Sequence, residues 1–342
     1  MPCPSINTLP PASPEKKGWP WTECPDPDPV NDTDGHPWPL ISIVTPSLNQ
    51  GPFLEETIRS VLLQGYPRLE YIVIDGGSMD DSVDIIKKYD QWLTYWVSEP
   101  DGGQAQALNK GFAGAGGDIL AYINSDDTYE PGAFIHAARI LKDNPDAGLL
   151  AGSCLIYSTG GKQRVFQPAW PQSLDYYVSG TYCSTFAQPA AFWKRSAFEA
   201  VGGFDESLHY CFDRDFFLRL GLAGVRPVLT DRRLARFREH GHSKTVRQGI
   251  GFHQDALVVL EKHARACGVP PSRQRLIAET INIDMRYEAV FERWRGQGRL
   301  PALWTFCKML RAYPAALKQR KVLGQARRLL TFRSTDVEAL KR

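Results

Sequence analysis

No stretch of the chain approaches the roughly 20 consecutive apolar residues that span a bilayer, so no membrane-crossing helix is expected. The opening residues lack the basic start and unbroken apolar core of a secretory leader, and a cytoplasmic protein, soluble or peripheral on the membrane face, is expected. Cysteine is sparse and scattered. Cys3, Cys24, Cys154, Cys183, Cys211, Cys267 and Cys307 form no C-x-x-C pair, which speaks against a zinc site or a disulfide framework and for a reducing compartment. A surplus of one charge is missing as well. With 40 Lys and Arg against 38 Asp and Glu, the net charge of +2 gives no electrostatic ground for nucleic acid as the main partner. Neither G-x-G-x-x-G nor a P-loop follows the first strand, where Thr45-Pro46-Ser47-Leu48-Asn49-Gln50-Gly51 stands instead, and an ordinary dehydrogenase or NTPase loses its first requirement.

What is present is an ordinary globular composition, 43% hydrophobic and 23% charged, which over 342 residues supports a sizeable core. Proline crowds residues 1–38, as in Cys24-Pro25-Asp26-Pro27-Asp28-Pro29, and the missing backbone donors predict an extended or disordered lead-in. Trp19, Trp21 and Trp38 are the features that could pin it to a surface. From Leu40 short β-branched runs alternate with amphipathic helices, the pattern of a mainly parallel α/β sheet with helices on both faces. Strands are predicted at Leu40 to Val44, Tyr71 to Ile74, Leu93 to Val97 and Ile119 to Ile123. Helices are predicted at Phe53 to Gln64, where Leu54, Ile58, Val61 and Leu62 make an apolar stripe, and near Ser82 to Tyr89 and Gln104 to Phe112. The second half is less regular, with strands near Gly148 to Tyr157 and Val228 to Thr230, a helix near Asp213 to Ala223, and only helix beyond about Gly249. The expected organisation is a lead-in over 1–38, a catalytic domain over 39–248 and a helical, basic extension over 249–342.

Polar residues cluster just past several strand ends, where open α/β sheets bind ligands. Asn124-Ser125-Asp126-Asp127 puts two adjacent carboxylates at such an end. Like charges there call for a cation or hydrogen-bond donors, and Mg²⁺ or Mn²⁺ commonly takes one or two carboxylates plus substrate phosphates. An N-cap pair for the following helix is the alternative. Asp75-Gly76-Gly77-Ser78-Met79-Asp80 combines glycines that let backbone approach a ligand with an acid that can accept from a base or ribose, or it is simply a capped strand-to-helix turn.

Taken in order, T-P-S-L-N-Q-G, I-D-G-G-S-M-D, E-P-D-G-G-Q-A-Q-A-L-N-K-G-F, N-S-D-D, Q-P-A-A-F-W-K-R-S-A-F-E-A-V-G-G-F-D-E-S-L and F-D-R-D-F-F-L-R-L resemble the family 2 glycosyltransferases of the GT-A fold, of the bacterial polysaccharide-assembly type, from about Pro39 to Val246. The resemblance implies a metal-dependent, inverting transfer of a sugar from a nucleotide diphosphate, with a UDP-sugar favoured, to a saccharide or lipid-linked acceptor. It implies that Thr45, Pro46, Asn49, Asp75, Gly76 and Ser78 bind the nucleotide side of the donor, and Asp101, Lys110, Ser125 and Asp126 its remainder. Asp127 with Asp126 would hold the metal, Mn²⁺ or Mg²⁺. Asp213 matches the general base, and it could instead, or in addition, cap the helix that carries Phe216, Phe217 and Leu220; Gln188 would lie on the acceptor side, with Lys194 and Arg195 either there or as surface residues around a buried strand. Asn124 stands where many relatives carry an acid, and Phe212 where many carry Glu, which leaves Asp215 open as the base. Arg236 to Lys244, placed after a strand, resembles a segment that closes over the donor, so that Arg238 or His240 would reach the diphosphate or metal; a solvated loop is the other reading. A sugar-phosphate nucleotidyltransferase would need a Gly-rich, cationic loop after the first strand, and a catalytically inactive glycosyltransferase-like scaffold or membrane-binding module remains the alternative outside enzymes.

From Arg293 to Thr335 there are eleven Lys or Arg and no Asp or Glu, interleaved with Trp294, Leu300, Trp304, Phe306 and other apolar residues. A basic amphipathic helix of this kind reads as peripheral contact with an anionic membrane, or as a packed cap with its basic face in water.

Overall fold

The computed structural model describes residues 4–26, 35–158, 160–178, 185–241, 243–244, 249–297 and 299–312. The chain divides into two compact units, residues 1–174 with 184–243, and residues 175–183 with 244–342.

The first unit is built on strands β1 (Ile41–Ser47), β2 (Leu69–Asp75), β3 (Tyr95–Ser98), β4 (Ile119–Tyr122), β5 (Thr128–Tyr129), β6 (Ala147–Ser158), β7 (Gln163–Phe166), β8 (Ala191–Lys194) and β9 (Arg226–Glu239). They form one sheet in the order β3-β2-β1-β4-β8-β6-β9-β5, with β7 paired to β6. The β-branched run of β1 is buried at every position because the strand is central, lying parallel to both β2 and β4. Helices α1 (Gly51–Leu62), α2 (Ser82–Tyr89), α3 (Gln104–Gly114), α4 (Ala133–Asp143), α5 (Arg195–Val201) and α6 (Phe212–Leu222) complete the unit. The stripe Leu54, Ile58, Val61 and Leu62 turns α1 onto the sheet, as its period requires. The chain runs outward from β1 through β2 to β3 and then returns to β4 on the other side of β1. That reversal is a topological switch point, and open α/β sheets bind their ligands in the crevice outside the carboxyl ends of the strands at such a point.

Two sequence expectations change here. Arg236, Phe237, Arg238 and Glu239 do not follow a strand but lie within β9, which pairs in parallel with β6 through Glu239. Its run of arginines hides the strand pattern, yet Leu234 and Ala235 are buried and the arginine heads find acids or rings. The short β5, β7 and β8 do not follow the β-α order of the first four strands. The lead-in has no strand or helix over 4–26, as its prolines dictate, yet it is fastened down: Leu9, Trp21 and Trp38 are buried, and Leu9 and Trp38 join the main core.

The second unit contains α7 (Gly249–His263), α8 (Pro271–Gln297) and α9 (Arg299–Ala312). Ile283, Val290, Ala302, Phe306 and Met309 form its core, and Arg273 pairs with Asp175 at 2.7 Å. Residues 313–342, which carry much of the basic stretch, lie outside the described residues. No described helix is long and apolar enough to cross a membrane.

Candidate active site

The loops after β1 and β2 are laced into one wall of the crevice. Asn49 adopts a left-handed backbone, φ 51°, which its short amide side chain tolerates. Its Oδ1 accepts from the Met79 N–H at 2.9 Å, and its own N–H donates to Ser78 Oγ at 2.7 Å. Asp75 is wholly buried, and its carboxylate accepts from the N–H groups of Gly77 and Ser78 at 3.2 and 2.8 Å and from the hydroxyls of Ser78 and Ser98 at 2.6 and 2.7 Å. It therefore shapes the glycine loop from within. Burial tends to raise the Asp80 carboxyl, but hydrogen bonds from Ser82 and from the Gly51 backbone outweigh it and hold the group below its ordinary value. The buried Thr45 hydroxyl meets Tyr71 Oη at 3.1 Å, with Pro46 next to it on β1. A methyl at Gly76 would stand 2.9 Å from Asp101 Oδ2, so only glycine lets this carboxylate lie against the loop. Lys110 is ion-paired with Glu99.

The opposite wall is the loop after β4. Asp127 is fully buried; its Oδ1 accepts from the Arg238 N–H at 2.9 Å and its Oδ2 from Asn124 Nδ2 at 3.3 Å. Burial first, and the charge of Asp126 second, push its carboxyl well above the ordinary range despite these donors. Asn124 is itself held by Gln104 at the start of α3, whose Nε2 donates to Asn124 Oδ1 at 2.6 Å. An acid at 124 would add a third negative charge; the amide donates to Asp127 instead. Asp126 Oδ2 lies 2.9 Å from His240 Nε2, and the buried His240 ring packs on Phe53 at 4.4 Å. Ser125, between Asn124 and this pair, is buried.

Arg238 is bound to protein rather than open for a ligand. Its Nε donates to the Asp126 carbonyl at 3.0 Å, its Nη2 meets Glu56 at 2.8 Å, and the guanidinium lies over the rings of Phe53 and Tyr157 at 5.0 and 5.1 Å. Asp215 is likewise committed. It is 1% exposed and paired with Arg219 at 2.7 Å, and Arg219 also donates to the carbonyls of Val201 and Gly203. Asp213 lies in the first turn of α6, next to Phe212, whose ring packs against Tyr122 at 6.3 Å. The buried Tyr122 hydroxyl at the end of β4 is pushed up by burial and then by the charges of Asp213 and Asp127, so both carboxylates act on the same tyrosine. Gln188 is buried and donates to the Tyr122 carbonyl at 2.8 Å. Lys194 and Arg195 lie at the far end of the sheet, where Lys194 pairs with Ile119 and Arg195 donates to the carbonyls of Ala115 and Gly117.

Sequence reasoning did not find the polar side of α1. Glu56 grips Arg238, Thr57 Oγ1 donates to the Asp127 carbonyl at 2.7 Å, and Ser60 Oγ accepts from the Tyr129 N–H at 3.2 Å. The spacing 53, 56, 57, 60 was the available signal, a second helical stripe opposite the apolar one. Gln104 was also missed, for nothing in the sequence marks its partner.

This architecture is that of the GT-A fold. The model for glycosyl transferase family 2 matches residues 42–202. An uncharacterized glycosyltransferase of Mycobacterium tuberculosis is 35% identical over 192 residues, 56% of this chain and 71% of that protein. The chain belongs to glycosyltransferase family 2. In structure it is similar to S. aureus TarS 1–349 in complex with UDP-GlcNAc, with a TM-score of 0.52, 16% identity and 79% of each chain covered. It is also similar to the mannosyltransferase PcManGT from Pyrobaculum calidifontis in complex with GDP-Man and Mn²⁺, with a TM-score of 0.53, 19% identity, and 96% of this chain and 90% of that one covered. At such identities these two likenesses speak for the GT-A fold.

Proposed function

We propose that this glycosyltransferase moves a sugar from a nucleoside diphosphate, UDP first among candidates, to an acceptor hydroxyl with inversion at the anomeric carbon. The observation that carries the reading is the fully buried Asp127 beside Asp126 past the end of β4, with Asp213 next to Phe212, whose ring packs on Tyr122 of the same strand at 6.3 Å. Among the described residues no three His, Cys, Asp or Glu side chains form a ready metal cage. Two adjacent carboxylates, one of them fully buried, nevertheless suit Mg²⁺ or Mn²⁺, which commonly takes one or two carboxylates together with substrate phosphates. Asp127 and Asp126 would hold the ion, with His240 orienting Asp126. When bound, the ion supplies Lewis-acid neutralisation of the leaving diphosphate.

Asp213 accepts the acceptor's proton as the hydroxyl oxygen attacks the anomeric carbon. The new glycosidic C–O bond forms on the face opposite the breaking bond to phosphate, the nucleoside diphosphate leaves, and the configuration inverts. The laced loops around Asn49, Gly76 and Ser78 form the nucleotide side of the pocket, with Thr45 and Pro46 at its floor. Asp75 organises that loop, and Asp101 and Lys110 border it. Ser125 backs the acid pair. Gln188 braces β4 on the acceptor side. The acceptor is a saccharide or a lipid-linked saccharide.

The test is a screen of UDP-, GDP- and dTDP-sugars for metal-dependent donor hydrolysis, followed by the anomeric configuration of the transferred sugar. Hydrolysis independent of Mn²⁺ or Mg²⁺ rejects the metal reading, retention of configuration rejects the direct displacement, and no turnover of any donor returns the scaffold reading.

Peripheral contact with an anionic membrane belongs to the same proposal. The inner side of α9 is buried through Ala302, Phe306 and Met309, yet its outer side still exposes Leu300 (80%) and Trp304 (55%), with Lys308 over the Trp304 ring at 3.5 Å. Packing does not require an exposed apolar pair beside cations; a cytoplasmic membrane face, with apolar depth and anionic headgroups, matches both.

A further inference from the structure

The proline-rich segment lies outside residues 42–202 matched to the family, yet it is wired to the acid loop. Trp19 Nε1 donates to the carbonyl of Tyr129 at 2.8 Å, two residues beyond Asp127. Arg59 of α1 is 1% exposed and is satisfied mainly by the segment: Nε donates to the Pro20 carbonyl at 3.0 Å, Nη1 to that of Pro10 at 2.9 Å and Nη2 to that of Trp21 at 3.3 Å. Nη1 also donates to Tyr89 Oη at 3.2 Å. Burying a guanidinium is costly unless its N–H groups are taken up, and these carbonyls take them up. Lys16 lies over the Trp21 ring at 3.9 Å and pairs with Glu55 of α1 at 3.6 Å.

The same helix meets the acid loop through other residues. Glu56 fixes Arg238, which binds the Asp126 carbonyl and, through its N–H, Asp127; Thr57 binds the Asp127 carbonyl; Ser60 binds the N–H of Tyr129. α1 is thus held by the lead-in at 55 and 59, and holds the acid loop at 56 and 57 and β5 at 60. Tyr129 is held from both directions, its carbonyl by Trp19 and its N–H by Ser60.

We propose that residues 4–26 are a positioning strap that clamps α1 and β5 and thereby sets Asp126 and Asp127 for the reaction, with Trp19 and Arg59 as positioning residues. The catalytic part of this inference rests on the reading of those acids given above. A segment that merely coated the core would stabilise the unit without favouring one loop. A clamp acts locally, because removing a single contact frees the elements it joins before the rest of the sheet opens.

The experiment uses the full chain with Trp19→Phe, which keeps an aromatic body and removes the indole N–H, and Arg59→Gln, with Arg59→Lys as the conservative comparison. Amide hydrogen exchange is followed by mass spectrometry over residues 124–130 and, as the control, over β2. The strap predicts about tenfold faster exchange at 124–130 with β2 unchanged. It also predicts a lower kcat for Mn²⁺-dependent UDP-sugar hydrolysis and a higher Mn²⁺ half-saturation, with donor KM within about twofold of the parent and partial recovery in Arg59→Lys. Unchanged exchange at 124–130, or equal acceleration in β2, overturns the strap. Faster local exchange with unchanged kcat overturns its part in catalysis. If the parent itself shows no metal-dependent hydrolysis, the functional reading fails while hydrogen exchange still decides the strap. Should Arg59→Gln fail to fold, Trp19→Phe, the loss of one hydrogen bond, carries the test.

Discussion

Asp127 carries its carboxylate fully buried beside a second acid, with a backbone N–H and one amide as its donors. An arrangement that disfavours the charged form of the free protein is one that a cation stabilises on binding. Asp127→Asn is expected to abolish metal-stimulated turnover while the melting temperature in EDTA at neutral pH equals or exceeds that of the parent. Retained turnover at saturating Mn²⁺, or a large loss of stability, contradicts this. The two acids of α6 should separate cleanly. Asp213→Asn lowers kcat by about 10²–10⁴-fold with little change in donor KM, since a general base acts in the transition state. Asp215→Asn leaves Arg219 without its buried partner and costs about 3–5 kcal/mol in urea unfolding. Reversal of the two effects would move the base to Asp215. The F-D-R-D motif names both residues but cannot tell them apart. Two positions apart on a helix, they point to different sides, and which side meets β4 is a matter of docking.

The elements show why some motifs read easily. In α3, Gly111 has Val44 Cγ1 at 2.5 Å from where a Cβ would stand, so the glycine of A-L-N-K-G-F is the contact at which the helix rides on β1. Gly111→Ala should therefore cost about 1–3 kcal/mol by overpacking, measured by thermal or urea unfolding, and displace Gln104 and hence Asn124. A stability equal to the parent would show that the helix shifts freely. The first four strands and three helices were legible because β-branched runs and amphipathic helices alternate there in the usual β-α order, which β7 and β8, no shorter than β3 and β4, do not follow. β9 was legible only in part. Its arginines at 232, 233, 236 and 238 look like a loop in one dimension, while pairing with β6 and partners such as Glu130 and Glu56 make a strand of them.

At the scale of the molecule, α9 presents Leu300, Trp304, Lys308 and Arg311 along one exposed stripe with no acid in the helix. Full-length protein should co-sediment with anionic vesicles and not with neutral ones. Binding should weaken at high salt, because screening shortens electrostatic attraction to about 8 Å at physiological ionic strength. The double substitution Leu300→Ser with Trp304→Ser should reduce it. Equal partitioning onto neutral vesicles, or indifference to the double substitution, assigns the stripe another role.

The order of T-P-S-L-N-Q-G, I-D-G-G-S-M-D and N-S-D-D along the chain by itself determined the family, the parallel half of the sheet and the carboxylates of the crevice. Those features are local: strand periods, glycines that admit close approach, and acids placed just past strand ends. Tertiary structure alone decided that Arg238 grips Glu56 rather than standing open, that Asp215 is sealed in an ion pair, and that Asn124 serves Asp127. It also decided that the proline-rich lead-in reaches Tyr129 and Arg59. Each of these joins residues far apart in the chain or depends on which side of a helix is docked. Such pairings leave no period or spacing in the sequence, because the energy that selects them comes from burial and from hydrogen bonds that exist only once the sheet has formed.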